Sequence, residues 1–167
     1  VETRVVNVTR DEIERALMSF VGRQMQTPPR YSAVKQSGVR LYKLARQGVE
    51  VQAEPRSVEI HSIEIRALAD SQVEFEVACS KGTYIRALAH DLGQKLQTGA
   101  HLADLRRLAS GHFTLEEVVP LDKLRAALES KTAGDWMHPL DEALLEFEAV
   151  IADPIIAKQI QNGQLLE

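Results

Sequence analysis

The chain has 167 residues, of which 44% are hydrophobic and 26% charged, and its formal net charge is -4. This length suits one globular domain, or one domain with part of another. No apolar run approaches the roughly 20 residues that cross a bilayer, no signal peptide is visible, and the single Cys79 excludes an internal disulfide, so we expect a cytoplasmic protein.

The first predicted element is a helix over about residues 10–20. Thr9 and Glu12 have the spacing of a capping box, in which each side chain bonds the backbone of the other residue. Apolar residues then recur at helical spacing from Ile13 to Phe20.

The next segment concentrates positive charge. Between Arg15 and Val49 there are seven bases and no acid, and two tyrosines lie among them. Residues 15–112 hold 14 bases and 9 acids, whereas residues 113–167 hold 4 bases and 11 acids. Bases interleaved with aromatic rings suit a surface that meets a phosphate backbone and nucleobases. The alternative is a basic surface that serves only solubility.

The middle of the chain predicts a short basic helix over 41–46, ended by Gly48, and then a β-hairpin. The alternation of apolar residues shifts phase at His61-Ser62, which predicts a bulge in the first strand. The second strand covers 73–79, and Cys79 lies on its apolar phase, as a core thiol does.

Residues 81–86 connect this strand to a helix predicted over about 83–97. Tyr84 and Arg86 fall in its first turn, where unpaired amides favour an anion. Arg86 can hold an anion in a two-pronged grip that lysine cannot copy. A purely solubilising role for Lys81 and Arg86 is the alternative.

The rest of the chain offers weaker patterns. We predict a short strand over 103–108 with Arg106 and Arg107 on opposite faces, and Leu105 either lines a base pocket or fills the core. A helix is predicted over 121–129 with Leu121, Leu124 and Leu128 facing inward, followed by a packing segment around Trp136 that includes Leu140, Leu144 and Leu145. The histidines show no metal-ligand spacing, and no P-loop, dinucleotide fingerprint or framed nucleophile is present. The pattern as a whole predicts an α+β fold with a mixed, mostly antiparallel sheet flanked by helices.

Three stretches together resemble the TruB-type tRNA pseudouridine synthases of bacteria. They are Pro28–Lys35 with Gly38 and Leu41–Gly48; Lys81–Arg86 with Asp91-Leu92-Gly93; and Gly99–Leu102 running into Leu105–Leu108. The match covers roughly residues 1–145.

The resemblance implies isomerisation of uridine 55 in the tRNA T loop. The base is flipped out, its glycosidic bond is broken, and it rejoins through carbon, without cofactor or metal. It implies that Tyr84 contacts the flipped base, that Arg86 pairs with a catalytic aspartate, and that Leu105 packs near the pocket. The candidates for RNA binding are Arg30, Tyr31, Lys35, Arg40, Tyr42, Lys43, Arg46, Lys81, Arg106 and Arg107.

The chain departs from the family in one respect: the glycine-rich, Leu-Asp-containing motif of the catalytic aspartate does not occur, and Asp91 and Asp104 match other positions. We therefore expect residues 1–145 to be the C-terminal part of an incomplete catalytic domain that is inactive alone. We expect residues 146–167 to begin a truncated C-terminal RNA-binding domain. The expected partner is the tRNA T stem-loop, bound by a monomer, with no membrane partner. The alternative function is a non-catalytic module that binds or remodels RNA.

Overall fold

The computed structural model describes residues 8–29, 31–36, 38–49, 53–69, 71–149 and 151–164, with the backbone alone at Lys35, Gln36, Tyr42 and Asp135. The chain divides into two compact units, residues 1–105 and 106–167. Every helix within the described ranges is too short or too polar to cross a membrane.

The first unit is α+β, as predicted. Its elements, in chain order, are α1 (Arg10–Met18), β1 (Gly22–Gln26), β2 (Lys35–Gln36), β3 (Val39–Arg40), α2 (Leu41–Arg46), β4 (Arg56–Ala69), β5 (Gln72–Cys79) and α3 (Ile85–Lys95).

Helix α1 begins at the predicted capping box. The Thr9 hydroxyl accepts from the Glu12 amide at 3.3 Å, and the Glu12 carboxylate accepts from the Thr9 amide at 2.8 Å. The bond from the Thr9 amide, with a second from its hydroxyl, holds the pKa of Glu12 below its usual value. Both bonds to the backbone engage amides that have no partner inside a helix. The helix then turns Ala16 and Leu17 into the core.

A three-stranded antiparallel sheet in the order β1-β4-β5 forms the scaffold of this unit. In the β4–β5 pair the register shifts between Ile60 and Ser62, which confirms the predicted bulge, and shifts again between Ile65 and Ala67. The hairpin closes where Ala69 pairs with Gln72.

Helices α1 and α3 contribute to the core that packs on this sheet. The buried members of the cluster are Ala16, Leu17, Ile60, Ile63, Leu88 and Leu92. Leu88 is 1% exposed, and burial of one such side chain contributes about 2 kcal/mol. Cys79 is a free, half-buried thiol that packs against the cluster but is not one of its buried members, so the predicted core position is confirmed only in part.

The basic stretch forms a small hairpin followed by the predicted helix. Strands β2 and β3 pair across Gly38, which has φ +82°, a conformation that favours glycine. Leu41 is 1% exposed, and its amide donates to the carbonyl of Val34 at 2.8 Å. Helix α2 is thereby fixed to its own hairpin and ends before Gly48, which has φ +75°.

The second unit consists of short elements. They are β6 (Ala109–Ser110), β7 (Phe113–Thr114), α4 (Leu121–Ser130), α5 (Pro154–Gln161), and 3₁₀ helices at Leu115–Glu117, Ala133–Trp136 and Leu140–Leu144. A capping box that the sequence reading missed starts the first 3₁₀ helix, where the Glu117 carboxylate accepts from the Thr114 amide and hydroxyl. The bond from the Thr114 amide is the largest cause that holds the pKa of Glu117 below its usual value.

The strand predicted over 103–108 is wrong. Residues 101–108 form no regular structure, and strands β6 and β7 pair instead across Gly111. All side chains from Ala103 to Leu108 are exposed, so no buried face exists to fix a strand register. The argument that Arg106 and Arg107 point to opposite faces of a strand therefore fails.

The predicted inward face of the helix at 121–129 is also wrong. Leu121 and Leu128 are 62% and 61% exposed, while Leu124 is half-buried and Ala127 is 4% exposed. The buried face is thus centred between Leu124 and Ala127, to one side of the other two leucines. The packing segment expected around Trp136 is likewise exposed at its large side chains, which are Trp136, Leu140, Leu144 and Leu145.

Candidate functional site

The turn from β5 to α3 is held by a local hydrogen-bond network. The Ser80 amide donates to the Glu59 carbonyl at 2.8 Å, and the Ser80 hydroxyl accepts from the Glu59 amide at 2.9 Å. The Thr83 hydroxyl donates to the Ser80 carbonyl at 2.9 Å. Gly82 reverses the chain with φ +86°. The turn is therefore anchored to strand β4 immediately before Tyr84.

Tyr84 is the N-cap residue of α3. Its backbone is extended, with φ -101° and ψ 106°, and no side chain caps the helix at this position. Its carbonyl accepts from the amides of Ala87 and Leu88 in the first turn of the helix. The side chain is half-buried, so part of it remains accessible.

A side chain from strand β1 bonds the Tyr84 backbone. The Gln26 amide nitrogen Nε2 donates to the Tyr84 carbonyl at 3.1 Å, and its Oε1 accepts from the Tyr84 amide at 2.8 Å. Gln26 was not predicted as a site residue. The only sequence signal was a polar residue just before Pro28-Pro29, which does not indicate a partner 58 residues away.

Arg86 lies in the first turn of α3, and its side chain is exposed. Its Nη2 donates to the backbone carbonyl of Tyr31 at 2.7 Å. This bond joins the start of α3 to the basic stretch, 55 residues earlier. A guanidinium has five N–H donors, so the bond to Tyr31 is compatible with a further grip on a carboxylate or phosphate.

Leu105 ends the first unit in an exposed, irregular segment. Its side chain is 57% exposed, and its amide donates to the Asp104 carboxylate at 2.8 Å. It is therefore not a core residue within the described part of the chain. Its proximity to Tyr84 and Arg86 stays a prediction.

The segment that leads to Leu105 is fixed to the end of α3 by Gly93. The Gly93 carbonyl accepts from the amides of Thr98 and Gly99 at 3.0 and 3.1 Å. A Cβ at Gly93 would lie 2.0 Å from the Ala100 amide nitrogen, so only glycine fits there. The matched Gly93 thus has a packing reason, whereas Gly99 has a conformational one, since its φ is +68°.

The candidate RNA-binding residues of the basic stretch differ in how far they are described. Arg30 lies outside the described residues, as do the side chains of Lys35 and Tyr42. The side chains of Tyr31, Arg40, Lys43, Arg46 and Lys81 are exposed.

Arg40 and Lys43 among these candidates differ from two arginines on the sheet, which form ion pairs with acidic residues. Arg23 pairs with Glu59 at 3.2 Å, and Arg66 pairs with Glu64 and Glu76 at 2.6 Å. Arg40 and Lys43 form no such ion pair with the described residues, and the sequence from Arg15 to Val49 contains no acid. This charge distribution favours an anionic partner at the stretch.

The other two candidates, Arg106 and Arg107, belong to the second unit. Both are exposed and lie in the irregular segment before β6. In the described part of the chain, no group of three or more His, Cys, Asp or Glu residues is arranged to hold a metal ion.

Two family models match the sequence and together cover most of it. The TruB family pseudouridylate synthase N-terminal domain matches residues 1–85, and the tRNA pseudouridylate synthase B C-terminal domain matches residues 86–152.

Curated relatives named tRNA pseudouridine synthase B match nearly the whole chain. The protein from Nitrosococcus oceani is 43% identical over 98% of this chain and 54% of its own length. That from Shouchella clausii is 43% identical over 100% of this chain and 57% of its own length. The chain thus spans about half the length of the curated relatives it matches.

Solved structures share the fold of this chain. A chain of a Cbf5-Nop10-Gar1 complex superposes with a TM-score of 0.66 at 28% identity, over 84% of this chain and 40% of that one. A chain of an H/ACA RNP bound to a substrate RNA containing 2'-deoxyuridine shares the fold, with a TM-score of 0.55 at 23% identity over 80% of this chain and 35% of that one. The predicted α+β fold is thereby confirmed, and the chain belongs to the TruB family of pseudouridylate synthases.

Proposed function

We propose that this chain is part of a tRNA pseudouridine synthase that converts uridine 55 of the tRNA T loop to pseudouridine. The observation that carries the proposal is the position of both Tyr84 and Arg86 at the start of α3, in a chain that belongs to the family. A half-buried ring and a neighbouring exposed guanidinium suit a nucleobase taken out of its stack beside an anionic group.

In this proposal Tyr84 contacts the everted base. The base must leave its stack at a cost of a few kcal/mol, and an aromatic ring can offset part of that cost by stacking. The fixed backbone of Tyr84 supports this role, because a ring on a rigid support loses little entropy when the base arrives. Leu105 supplies apolar surface near the same pocket.

The proposed role of Arg86 is to hold the catalytic aspartate. A cation beside a carboxylate keeps it ionised and oriented, as attack on a sugar or base requires. The family's glycine-rich, Leu-Asp-containing motif does not occur in these 167 residues, so we assign the aspartate to sequence outside them.

The basic stretch binds the tRNA backbone in this proposal. Its exposed cations attract phosphates, and the bond from Arg86 to the Tyr31 carbonyl connects that surface to the start of α3. The partner is the T stem-loop, bound by a monomer in the cytoplasm. Residues 1–145 are assigned to the catalytic domain and 146–167 to the start of a C-terminal RNA-binding domain.

Tritium release from uridine-labelled tRNA by the full-length protein tests this proposal. We expect Arg86→Ala to lower kcat by at least about a hundredfold, because the lost interaction acts on the reacting groups. Arg66→Ala is the matched control, since this arginine pairs with acids on the hairpin and should leave the rate unchanged. Undiminished release by Arg86→Ala would refute its assigned role.

The alternative of RNA binding without catalysis is favoured by one observation, the missing aspartate motif. The two functions separate cleanly in the same assay. If the full-length protein binds tRNA and releases no tritium, the non-catalytic function stands; the 167 residues alone are expected to bind without turnover in either case.

A further inference from the structure

Gln26 is a buried side-chain amide at the end of a strand. Gln26 ends strand β1, where it pairs with Arg56 of strand β4, and the residue is only 4% exposed. A buried side-chain amide without hydrogen-bond partners would destabilise the folded protein. The contribution of Gln26 therefore depends on the hydrogen bonds that its side chain makes.

Both polar atoms of this side chain bond the backbone of Tyr84. The amide of Tyr84 donates to Oε1 at 2.8 Å, and Nε2 donates to the Tyr84 carbonyl at 3.1 Å. The paired bonds imitate a neighbouring β-strand at one residue. They fix the peptide groups on either side of the Tyr84 Cα, and therefore the direction of the Cα–Cβ bond that carries its ring.

The position of Tyr84 makes this restraint important. Tyr84 lies between the Gly82 turn and the first turn of α3, and no side-chain cap holds the helix start. Gln26 therefore supplies, from the sheet, a restraint that the local sequence lacks.

We propose that Gln26 is a positioning residue for the ring of Tyr84 in catalysis. The inference rests on the proposed function, in which that ring contacts the flipped base. Glutamine suits the role because one side chain must both donate and accept at this reach. Glutamate keeps the acceptor and loses the donor, whereas methionine keeps the volume and loses both.

The test compares Gln26→Met with Gln24→Met in the full-length protein, with single-turnover tritium release from tRNA as the readout. Gln24 is a matched control, because it lies on the same strand and donates to the Phe20 carbonyl at 2.9 Å, away from Tyr84. We expect Gln26→Met to slow the reaction by about tenfold to a hundredfold, the loss for two hydrogen bonds. Gln24→Met should change the rate by less than about twofold.

A double-mutant cycle separates positioning from general stability. In the Tyr84→Ala background, where no ring remains to be aimed, Gln26→Met should slow the reaction by less than about twofold. If Gln26→Met slows the reaction by the same factor in the Tyr84→Ala background as in the wild-type protein, the two effects are independent and the proposal is overturned. If Gln26→Met does not fold, Gln26→Glu takes its place, and it too should lose its effect when Tyr84 is replaced by alanine.

The outcomes also distinguish this inference from the proposed function. If the wild-type protein releases no tritium, the proposed function fails, and the positioning role fails with it. If the wild-type protein is active and Gln26→Met reacts as fast as Gln24→Met, the positioning role alone is overturned.

Discussion

Replacing Gly93 by alanine should destabilise the protein even though alanine is the better helix former. Gly93 lies near the end of α3, and its carbonyl accepts hydrogen bonds from the amides of Thr98 and Gly99 in the following loop. An added Cβ would lie 2.0 Å from the Ala100 amide nitrogen and 2.4 Å from the Gly99 carbonyl carbon. Both neighbours are backbone atoms, so they cannot move aside as a flexible side chain does.

The magnitude follows from three terms. Helix propensity favours alanine by about 1 kcal/mol. Against it, the Cβ needs about 3.5 Å of separation, so the loop must move by about 1.5 Å. That movement breaks the bonds from Thr98 and Gly99, at about 1 kcal/mol each, and overpacking adds about 1–3 kcal/mol. We expect a net loss of about 2–4 kcal/mol, which lowers Tm by on the order of 10 °C.

Urea unfolding followed by circular dichroism measures this loss, and hydrogen exchange over residues 85–105 locates it. Gly134→Ala is the matched control, because a Cβ there has no described atom within 4 Å and its φ is not positive. The control should be neutral or stabilise the protein by up to about 1 kcal/mol. An unchanged urea midpoint for Gly93→Ala would show that the loop does not approach α3 as closely as described.

Three further predictions concern charge, pH and the thiol. Reversing Arg40 and Lys43 to glutamate should weaken tRNA binding by more than about tenfold and flatten its salt dependence, whereas unchanged affinity would show that the basic stretch does not meet RNA. Glu117→Ala should lower Tm at pH 7 relative to Glu116→Ala, because the pKa of Glu117 in the folded protein lies below its usual 4.5. The difference in Tm should shrink as the pH falls through that lowered pKa. A difference in Tm that persists in acid would contradict the capping box. Cys79→Ala should cost about 1–2 kcal/mol in urea unfolding and leave tritium release unchanged, whereas a lost activity would make the thiol a reactive group.

Much of the first unit was predictable because its signals are local. The Thr9–Glu12 box, the phase shift beside Ser62 and the helix ahead of Gly48 each depend on neighbours in sequence, and each was confirmed. The second unit was predicted less well. Its elements are short, and apolar spacing alone did not tell which side of α4 is buried, so Leu121 and Leu128 were placed on the wrong face.

The sequence by itself determined the family, the basic stretch, and the helices and the β4–β5 hairpin of the first unit, because these follow from composition, motifs and periodicity. The shorter strands β1, β2 and β3 were not predicted. Only the tertiary structure showed what holds the start of α3. The Gln26–Tyr84 and Arg86–Tyr31 hydrogen bonds join residues that are 58 and 55 positions apart in the sequence. The periodicity of a sequence does not indicate contacts between residues so far apart. They exist because the sheet brings the end of β1 beside the turn after β5, and the burial of Leu17, Ile60 and Leu88 stabilises that arrangement.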